Sequence, residues 1–415
     1  MPSTPIPFTS DPMALLAIEA KLFLGLIFDL TKLGILSTIW PFRSKHAEDE
    51  LSLTRGNVWA LFVHGVLFFL QTLFLLFIVV SPFGGVPAII WTAVVVVGIQ
   101  LNRGICNVLL NNYGQRLFYD GGEYSLNEQD AEMRLIPSKP GSHGERWIFI
   151  NGVSVGSHWM AGNLKMISRI FQRPVQGIHN KTYGILFDLI ECTVQRTFGY
   201  PTLDIRLAYE TVSALVAEPE VTKVVLFAHS QGGIESSLVL DWLFATMPPE
   251  QVAKLEVYTF GNAANHFNSP QRKDGTRVIQ HIEHYGNTSE MVARCGMMFF
   301  RGVGSKLARA ANGGGKAVKR SCRMRLWRAK TAADVTTMAQ LRDRFVGKLF
   351  LRDAFGHMLN QHYLRNMFES EDNDFMNSPV STSNFEGDGD AAVPEGLLKD
   401  KSRLWRYRNG GTPEK

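Results

Sequence analysis

The sequence predicts an α/β fold, a mostly parallel sheet flanked by helices, preceded by a transmembrane or membrane-embedded helical hairpin. Three observations predict it. Two long apolar runs without charged residues lie between residues 60 and 101. From residue 145 onward, short apolar runs of strand type alternate with helical stretches, which is typical of a parallel sheet. One of these runs leads through a turn of small residues, with Ser230 at its centre, into a helix.

The first apolar run covers residues 60–80 and contains no Asp, Glu, Lys or Arg. A turn rich in Pro and Gly at 81–87 separates it from the second run at 88–101. A helix needs about 20 residues to cross the hydrocarbon core of a membrane, so residues 59–103 are predicted to form a membrane hairpin. Because the second run is shorter, the hairpin either spans the membrane or dips into one leaflet. A buried helical pair in a soluble core is the alternative.

Basic residues flank both ends of this hairpin and are missing from its turn. Lys45 and Arg55 precede it, and Arg103 and Arg116 follow it. Because cytoplasmic flanks carry the excess of Lys and Arg, we expect both ends, and the catalytic domain after them, to face the cytosol.

The hairpin divides the 415 residues into further regions. Residues 1–58 form an N-terminal segment whose apolar stretch, 13–40, is interrupted by four charged residues. We expect there an interfacial helix or a helix packed against the hairpin. Residues 104–144 are predicted to be a linker, 145–368 the catalytic domain, and 369–415 a polar, disordered tail.

A basic insertion is predicted at residues 296–333. The window 291–333 contains eleven basic residues and no acidic residue. It is either a flexible, solvated loop or a basic surface that meets anionic lipid headgroups. Within the predicted tail, residues 369–398 contain eight acidic residues and no Lys or Arg.

Composition argues against two classes of function. The net charge of +5, from 43 basic and 38 acidic residues, does not favour a nucleic-acid partner. The four cysteines lie far apart and form neither a Cys-x-x-Cys motif nor a Cys/His metal spacing. We therefore predict no metal and no cofactor.

The catalytic domain is predicted to consist of alternating strands and helices. Strands are expected at 146–151, 174–179, 223–229, 254–260, 277–285 and 348–351. Helices are expected at 159–171, 204–217, 232–246 and after Gly356.

The sequence Ala228-His229-Ser230-Gln231-Gly232 is typical of a nucleophile elbow, because a β run precedes it and helix-compatible sequence follows it. Such a turn requires small residues two positions before and after the serine, and Ala228 and Gly232 satisfy this requirement. Alanine replaces the more usual first glycine. The turn would raise the Ser230 hydroxyl above the sheet and point the Gln231 amide at the oxyanion of a tetrahedral intermediate.

A second oxyanion donor is expected from the loop after the first catalytic-domain strand. Gly152 permits a tight turn there, and the amide of Val153 is the candidate donor, with neighbouring Ser154 as the alternative.

The catalytic acid and base of such a hydrolase follow the serine in that order. Glu290 lies in the loop after the strand at 277–285 and is the candidate acid; its alternative role is to cap the following helix. Glu283, within the strand, is the less favoured acid. His357 follows a glycine at a loop-to-helix start and is the candidate base, with His362 as competitor. His229 is interpreted as structural.

Several further stretches resemble one known family, the fungal lipase-like α/β-hydrolases that carry an N-terminal membrane segment. The matching stretches are Phe149-Ile-Asn-Gly152, His158-Trp159, Gly177-Ile-His-Asn180, Thr182-Tyr183-Gly184, residues 229–235, residues 257–268, Glu283-His-Tyr285, Gly356-His357 and residues 360–364. The resemblance covers about residues 147–368. It implies an α/β-hydrolase fold and a serine esterase or lipase, and it supports Ser230 and His357. Glu290 stands where these proteins usually have Asp.

The resulting hypothesis is a membrane-associated serine hydrolase that cleaves ester bonds of lipids or other apolar esters at a bilayer or lipid-droplet surface. A catalytically silent scaffold that acts as a membrane adaptor is the alternative from another class, motivated by Ala228 and Glu290. An acyltransferase would use the same triad.

Overall fold

The structure is a computed structural model that describes residues 12–29, 33–42, 44, 46–111, 116–119, 124–125, 144–301, 345–369, 374–387 and 395–414. The predicted basic insertion at 296–333 lies outside the described residues from position 302 onward.

A mixed, mostly parallel sheet flanked by helices forms the centre of the molecule. The described residues contribute nine strands to it, in the spatial order β2-β1-β4-β3-β5-β6-β7-β8-β9. The six strands from β4 to β8 in this order are parallel, and β1, β2 and β9 run antiparallel to their neighbours. The strands are β1 (Arg116–Tyr119), β2 (Tyr124–Ser125), β3 (Glu145–Ile150), β4 (Val175–Ile178), β5 (Lys223–His229), β6 (Leu255–Phe260), β7 (His281–Asn287), β8 (Lys348–Arg352) and β9 (Phe385–Glu386).

The described helices are α1 (Pro12–Ile27), α2 (Arg55–Val80), α3 (Ala88–Leu109), α4 (Ser157–Phe171), α5 (Ile185–Phe198), α6 (Leu203–Ala217), α7 (Gln231–Thr246), α8 (Pro249–Val252), α9 (Met291–Cys295), α10 (Met297–Phe300), α11 (Arg365–Phe368) and α12 (Leu398–Lys401). Short 3₁₀ helices cover Gly34–Thr38 and Leu404–Gly410, and a π-helical turn covers Leu359–Leu364.

Both faces of the sheet are covered, because successive strand residues point to opposite sides. On β5, Val224 and Leu226 pack with α6 and α7. Val225 and Phe227 face the other layer, with α4 and the C-terminal residues. This arrangement explains why the central strands are continuously apolar rather than alternating.

The hairpin consists of two helices that are long and apolar enough to cross a membrane. Helix α2 has 26 residues and α3 has 22, so they extend about 39 Å and 33 Å at the rise of an α-helix. The second helix is longer than the apolar run at 88–101, because it continues through Asn102 and Arg103 to Leu109. One face of α2 is buried at helical spacing, through Asn57, Ala60, His64, Leu67 and Gln71.

Of the two placements expected for helix α1, packing mainly against the hairpin is wrong, and an interfacial position stays a prediction. The main contacts of α1 are with α5 and α9 rather than with the hairpin. Leu22 and Leu26 form a small apolar cluster with Met291 and Cys295. Glu19 forms an ion pair with Arg196 of α5 at 2.9 Å, so a charge that interrupts the apolar stretch has a partner.

The prediction of a disordered tail at 369–415 is wrong for residues 374–387 and 395–414. Phe375, Met376, Leu398, Leu404 and Tyr407 are buried in the core that also contains the aromatic residues of β5 and β6. These few large apolar side chains bury enough surface to order the segment, although the sequence between them is acidic and polar.

The sheet contains strands that were not predicted. The strands β1 and β2 lie within the predicted linker 104–144, and β9 lies within the predicted tail. The strand predicted at 277–285 begins later, at His281, and continues to Asn287. Helix α5 was not predicted, although it lies beside the site described below.

Candidate functional site

Ser230 lies at the junction between β5 and α7, in an unusual backbone conformation. Its φ is 58° and its ψ is −119°, and a non-glycine residue with positive φ is uncommon and strained. Three hydrogen bonds fix this conformation. The Ser230 amide donates to the Phe260 carbonyl at 3.0 Å, and the Ser230 carbonyl accepts the amides of Gly233 at 3.0 Å and Ala263 at 3.2 Å.

Close approach of the surrounding backbone explains the small residues near Ser230. A Cβ atom added to Gly152 would lie 2.4 Å from the Ser230 Cβ, and one added to Gly232 would lie 2.4 Å from the Ile150 carbonyl oxygen. The loop after β3 and the first turn of α7 are therefore in direct contact around the serine.

The loop after β3 contains the predicted second oxyanion donor. The Ser154 amide donates to Asp188 Oδ2 at 2.8 Å, so it already has a partner. This favours the Val153 amide between the two open alternatives. The Gln231 amide is at the first position of α7, where backbone N–H groups have no intrahelical acceptor.

His357 and Glu290 lie next to each other at the same edge of the sheet. His357 Nδ1 is 3.3 Å from Glu290 Oε1, within ion-pair distance, but it is not aligned as a hydrogen bond. Glu290 is fully buried and also caps α9, since Val292 and Ala293 donate their amides to its two oxygens, each at 2.6 Å. The two interpretations of Glu290, helix cap and catalytic acid, are therefore compatible.

The hydrogen bond between Ser230 and His357 is not formed in this structure. Within the described chain, neither ring nitrogen of His357 makes a hydrogen bond. The ring lies over Gly261, where an added Cβ would be 2.6 Å from His357 Nδ1. Gly261 directly follows the residue that accepts the Ser230 amide, so the imidazole and the serine lie at the same strand ends. Hydrogen bonds of this kind are often loose before substrate binds.

The competing candidates are occupied elsewhere. His362 Nδ1 accepts the Met358 amide at 3.0 Å, and its Nε2 donates to the Pro41 carbonyl at 3.3 Å. Glu283 accepts the amides of Arg403 at 2.8 Å and Leu404 at 3.2 Å, so it anchors the C-terminal segment. The geometry thus favours His357 and Glu290 over both alternatives.

His229 has a larger role than its sequence suggests. Its Nε2 lies 2.7 Å from the His357 carbonyl oxygen, which can only accept, so Nε2 carries the proton. Burial, and then the neighbouring His357 ring, hold the pKa of His229 well below its usual value. A neutral His229 therefore fixes the backbone of the candidate base.

The N-terminal segment also holds the His357 loop, which sequence reasoning missed. The His357 amide donates to the Thr38 carbonyl at 2.7 Å, and the Gly356 amide donates to the Ser37 carbonyl at 2.8 Å. The amide of Asn360 donates to Glu50 at 2.8 Å. Contacts over more than three hundred residues of sequence leave no local signal.

Two carboxyl groups of α5, the buried Asp188 and the half-buried Glu191, lie on the helix next to the elbow. Burial raises the pKa of Asp188 to about 6 and that of Glu191 to about 8. The side chain of Gln231 reaches this region and donates to Gln195 at 3.0 Å. Among the described residues, no group of three or more His, Cys, Asp or Glu side chains is arranged to hold a metal ion.

A cavity of about 510 Å³ lies away from these residues, between the base of the hairpin and α4. Its lining includes Asn57, Trp59, Leu110, Trp159 and Lys165, and none of Ser230, His357 or Glu290.

The chain matches no family model, no curated protein and no solved structure. The geometry around Ser230, His357 and Glu290 therefore carries the assignment of this site.

Proposed function

We propose that this protein is a membrane-associated serine hydrolase with an α/β-hydrolase fold, which cleaves carboxylic ester bonds of lipid-like substrates. One observation carries the proposal: Ser230 has a strained, positive-φ conformation at a strand-to-helix turn, at the same edge of the sheet as the His357–Glu290 pair. Backbone strain of this kind persists mainly where it serves function.

The chemistry would proceed through an acyl-enzyme. His357 takes the proton of the Ser230 hydroxyl as its oxygen attacks the ester carbonyl carbon. The amides of Gln231 and Val153 donate to the oxyanion that forms. The intermediate collapses, the C–O bond to the alcohol breaks, and His357 returns the proton to the leaving oxygen. Water then repeats the same steps on the acyl-enzyme and releases the carboxylic acid.

Glu290 would orient His357 and stabilise its protonated form. Its Oε1 faces His357 Nδ1 at 3.3 Å, while two backbone amides and the Tyr363 hydroxyl hold the carboxylate in place. The extra methylene of Glu relative to Asp is accommodated because the residue begins α9 and turns back onto that helix.

The hairpin would hold the enzyme at a bilayer or droplet surface, with the catalytic domain facing the cytosol. The outer surfaces of its helices are apolar and exposed; Phe69 is 62% exposed and Val97 is 64% exposed. Apolar residues on and next to α5, namely Ile190, Phe198 and Leu203, are also exposed close to the site. Exposed apolar side chains of this kind favour contact with lipid, where apolar esters dissolve.

The direct test is labelling with a fluorophosphonate probe in detergent or reconstituted membranes. Wild-type protein should be labelled, and Ser230→Ala should lose labelling and at least a thousandfold in ester hydrolysis, because the nucleophile is absent. Ser237→Ala is the matched control, since Ser237 is buried in the same helix and bonds only to the Ile234 carbonyl. It should be labelled normally.

Absence of labelling in folded wild-type protein would contradict the proposal and favour a silent scaffold. Product analysis with added alcohols separates hydrolysis from acyl transfer, because a transferase would form new esters instead of free acid.

The membrane role has its own test. Wild-type protein should remain in the membrane fraction after alkaline carbonate extraction. The double variant Leu73→Lys, Val97→Lys places two charges on the exposed apolar faces and should release a large part of the protein, since a charge in hydrocarbon costs about 2.5–3.5 kcal/mol. Equal retention of the double variant and wild type would contradict membrane insertion.

A further inference from the structure

Polar side chains of the hairpin bind the catalytic domain at one loop. Gln71 Nε2 donates to the Tyr183 carbonyl at 2.6 Å, and Asn102 Nδ2 donates to the same oxygen at 2.8 Å. Gln71 Oε1 accepts the Leu186 amide at 3.2 Å. Each of these polar groups lies in an apolar helix, where it is costly unless it has a partner. One side chain from each helix of the hairpin therefore donates to the same carbonyl oxygen, that of Tyr183.

The loop at 182–184 is shaped to receive this contact. Gly184 has a φ of 94°, and a Cβ atom there would lie 2.2 Å from Gln71 Nε2. Asn111, just after α3, donates to the Thr182 carbonyl at 2.7 Å. A side chain at position 184 would separate the hairpin from the loop.

The same loop binds Asp188 from its other side. The Tyr183 amide donates to Asp188 Oδ1 at 2.7 Å, and the Thr182 hydroxyl donates to Oδ2 at 2.6 Å. Oδ2 also accepts the Ser154 amide at 2.8 Å. The buried carboxylate thus joins the hairpin-binding loop to the loop after β3 through three hydrogen bonds.

Ser154 needs such a partner because of its backbone conformation. Its φ is 61°, which is unfavourable for a residue with a side chain. The amide of Val153, the candidate oxyanion donor, lies one peptide group earlier, between Gly152 and Val153. The hydrogen bond from the Ser154 amide to Asp188 fixes the next peptide group, so its loss would let this short loop move and displace the Val153 amide.

We propose that Asp188 is a positioning residue for the oxyanion loop, and that Gln71 and Asn102 make its position depend on correct docking of the membrane hairpin. The inference rests on the proposed hydrolase function and adds to it a link between membrane anchoring and catalysis. Asp188 touches no reacting atom in this scheme, since it acts through Ser154. Its carboxylate is buried, and three hydrogen-bond donors compensate for the loss of hydration.

The first test is Asp188→Asn in the full-length, detergent-solubilised protein, with a soluble nitrophenyl ester as substrate. One amide oxygen cannot accept all three donors, so kcat should fall about tenfold to a hundredfold while KM stays within about twofold. Asp241→Asn is the matched control, because Asp241 lies on α7 and binds the side chains of His266 and Asn268 instead. It should retain wild-type kcat.

A rescue variant separates positioning from folding. Glycine adopts positive φ without strain, so Ser154→Gly in the Asp188→Asn background should restore kcat to within about threefold of wild type. A kcat loss that glycine does not restore would overturn the proposal, as would an Asp188→Asn protein with wild-type kcat.

The hairpin contact is tested by Gln71→Leu against the adjacent Thr72→Val, whose hydroxyl bonds only to its own helix at Phe68. Gln71→Leu should lower kcat several-fold with unchanged KM and unchanged membrane retention, and Thr72→Val should not. If Asp188→Asn fails to fold, the comparison of Gln71→Leu with Thr72→Val tests the proposal, and equal kcat in these two variants overturns it.

The proposed hydrolase function fails if the wild-type protein is not labelled by fluorophosphonate. The positioning role of Asp188 alone fails if wild type and Asp188→Asn are labelled equally fast.

Discussion

Two buried polar clusters lie at opposite ends of the central strands, and they differ in how completely their groups are paired. The anchor cluster, near the strand starts, contains Glu256, Glu283, Arg403 and Tyr407. The site cluster, at the strand ends, contains Ser230, His357 and Glu290. Both contain buried carboxylates on or after neighbouring strands.

In the anchor cluster, charges and hydroxyl groups have several partners each. Arg403 donates to Glu256 at 3.0 Å, and the Tyr407 hydroxyl donates to the same carboxylate at 2.8 Å. The Tyr285 hydroxyl donates to Glu283 at 2.6 Å. This pairing binds the C-terminal segment to the sheet.

Among the described residues of the site cluster, Glu290 is hydrogen-bonded but the candidate base is not. His357 makes no side-chain hydrogen bond within the described chain, and Ser230 has a strained backbone. Since buried polar groups are normally paired, such exceptions indicate function rather than stability. Under the proposed function, the site cluster serves catalysis and the anchor cluster serves stability, so mutations in the two clusters should have different effects.

The largest expected effect is in catalysis. Glu290→Gln should lower kcat about 10³- to 10⁴-fold, because the neutral amide no longer stabilises protonated His357 and can hold the wrong tautomer. The Val292 and Ala293 amides also lose part of their acceptor, so stability should fall about as much as in the anchor-cluster variant Glu283→Gln, and the fall in kcat is what distinguishes this variant. Steady-state ester hydrolysis and thermal melting measure both effects.

Glu283→Gln is the counterpart in the anchor cluster. It should keep kcat within about threefold and lower the free energy of unfolding by about 1–3 kcal/mol, because donors around a buried carboxylate lose part of their acceptor. If both variants lost activity equally, or both lost only stability, the distinction between the clusters would be wrong.

The local part of the site could be predicted from sequence. Ser230 and the small residues beside it are specified by a steric requirement within five residues. The expected order of nucleophile, acid and base along the chain led to Glu290 and His357 as candidates from the sequence alone. The sheet was also predictable from local sequence, since continuously apolar runs indicate strands that are covered on both faces.

The supporting part could not be predicted, because it depends on contacts between distant segments. Asp188 lies on a helix that was not predicted, and Thr38 reaches His357 through its backbone, which leaves no side-chain pattern. The C-terminal segment was misjudged because its average composition is polar, whereas its order depends on a few buried aromatic residues such as Tyr407.

His362 is a neighbour of the site cluster, but both of its ring nitrogens are hydrogen-bonded, as the groups of the anchor cluster are. Burial lowers its pKa from 6.5 to about 4, so the folded protein resists protonating it. The unfolded chain takes up this proton near pH 6.5. The stabilising contribution is therefore complete above pH 6.5 and is lost as the pH falls towards 4.

The smallest predicted effect is a change in this pH dependence. At about pH 5.5, one unit below the unfolded pKa, His362 should cost wild-type protein about 1.4 kcal/mol of stability relative to pH 7.5. His362→Gln lacks the titrating ring and should lose less stability by about that amount, while the pH profile of kcat keeps its shape. Thermal melts at both pH values, in the same detergent, measure the difference. An identical loss in both proteins would show that His362 takes up its proton without unfolding, and a changed kcat profile would move His362 from the paired residues to the site cluster.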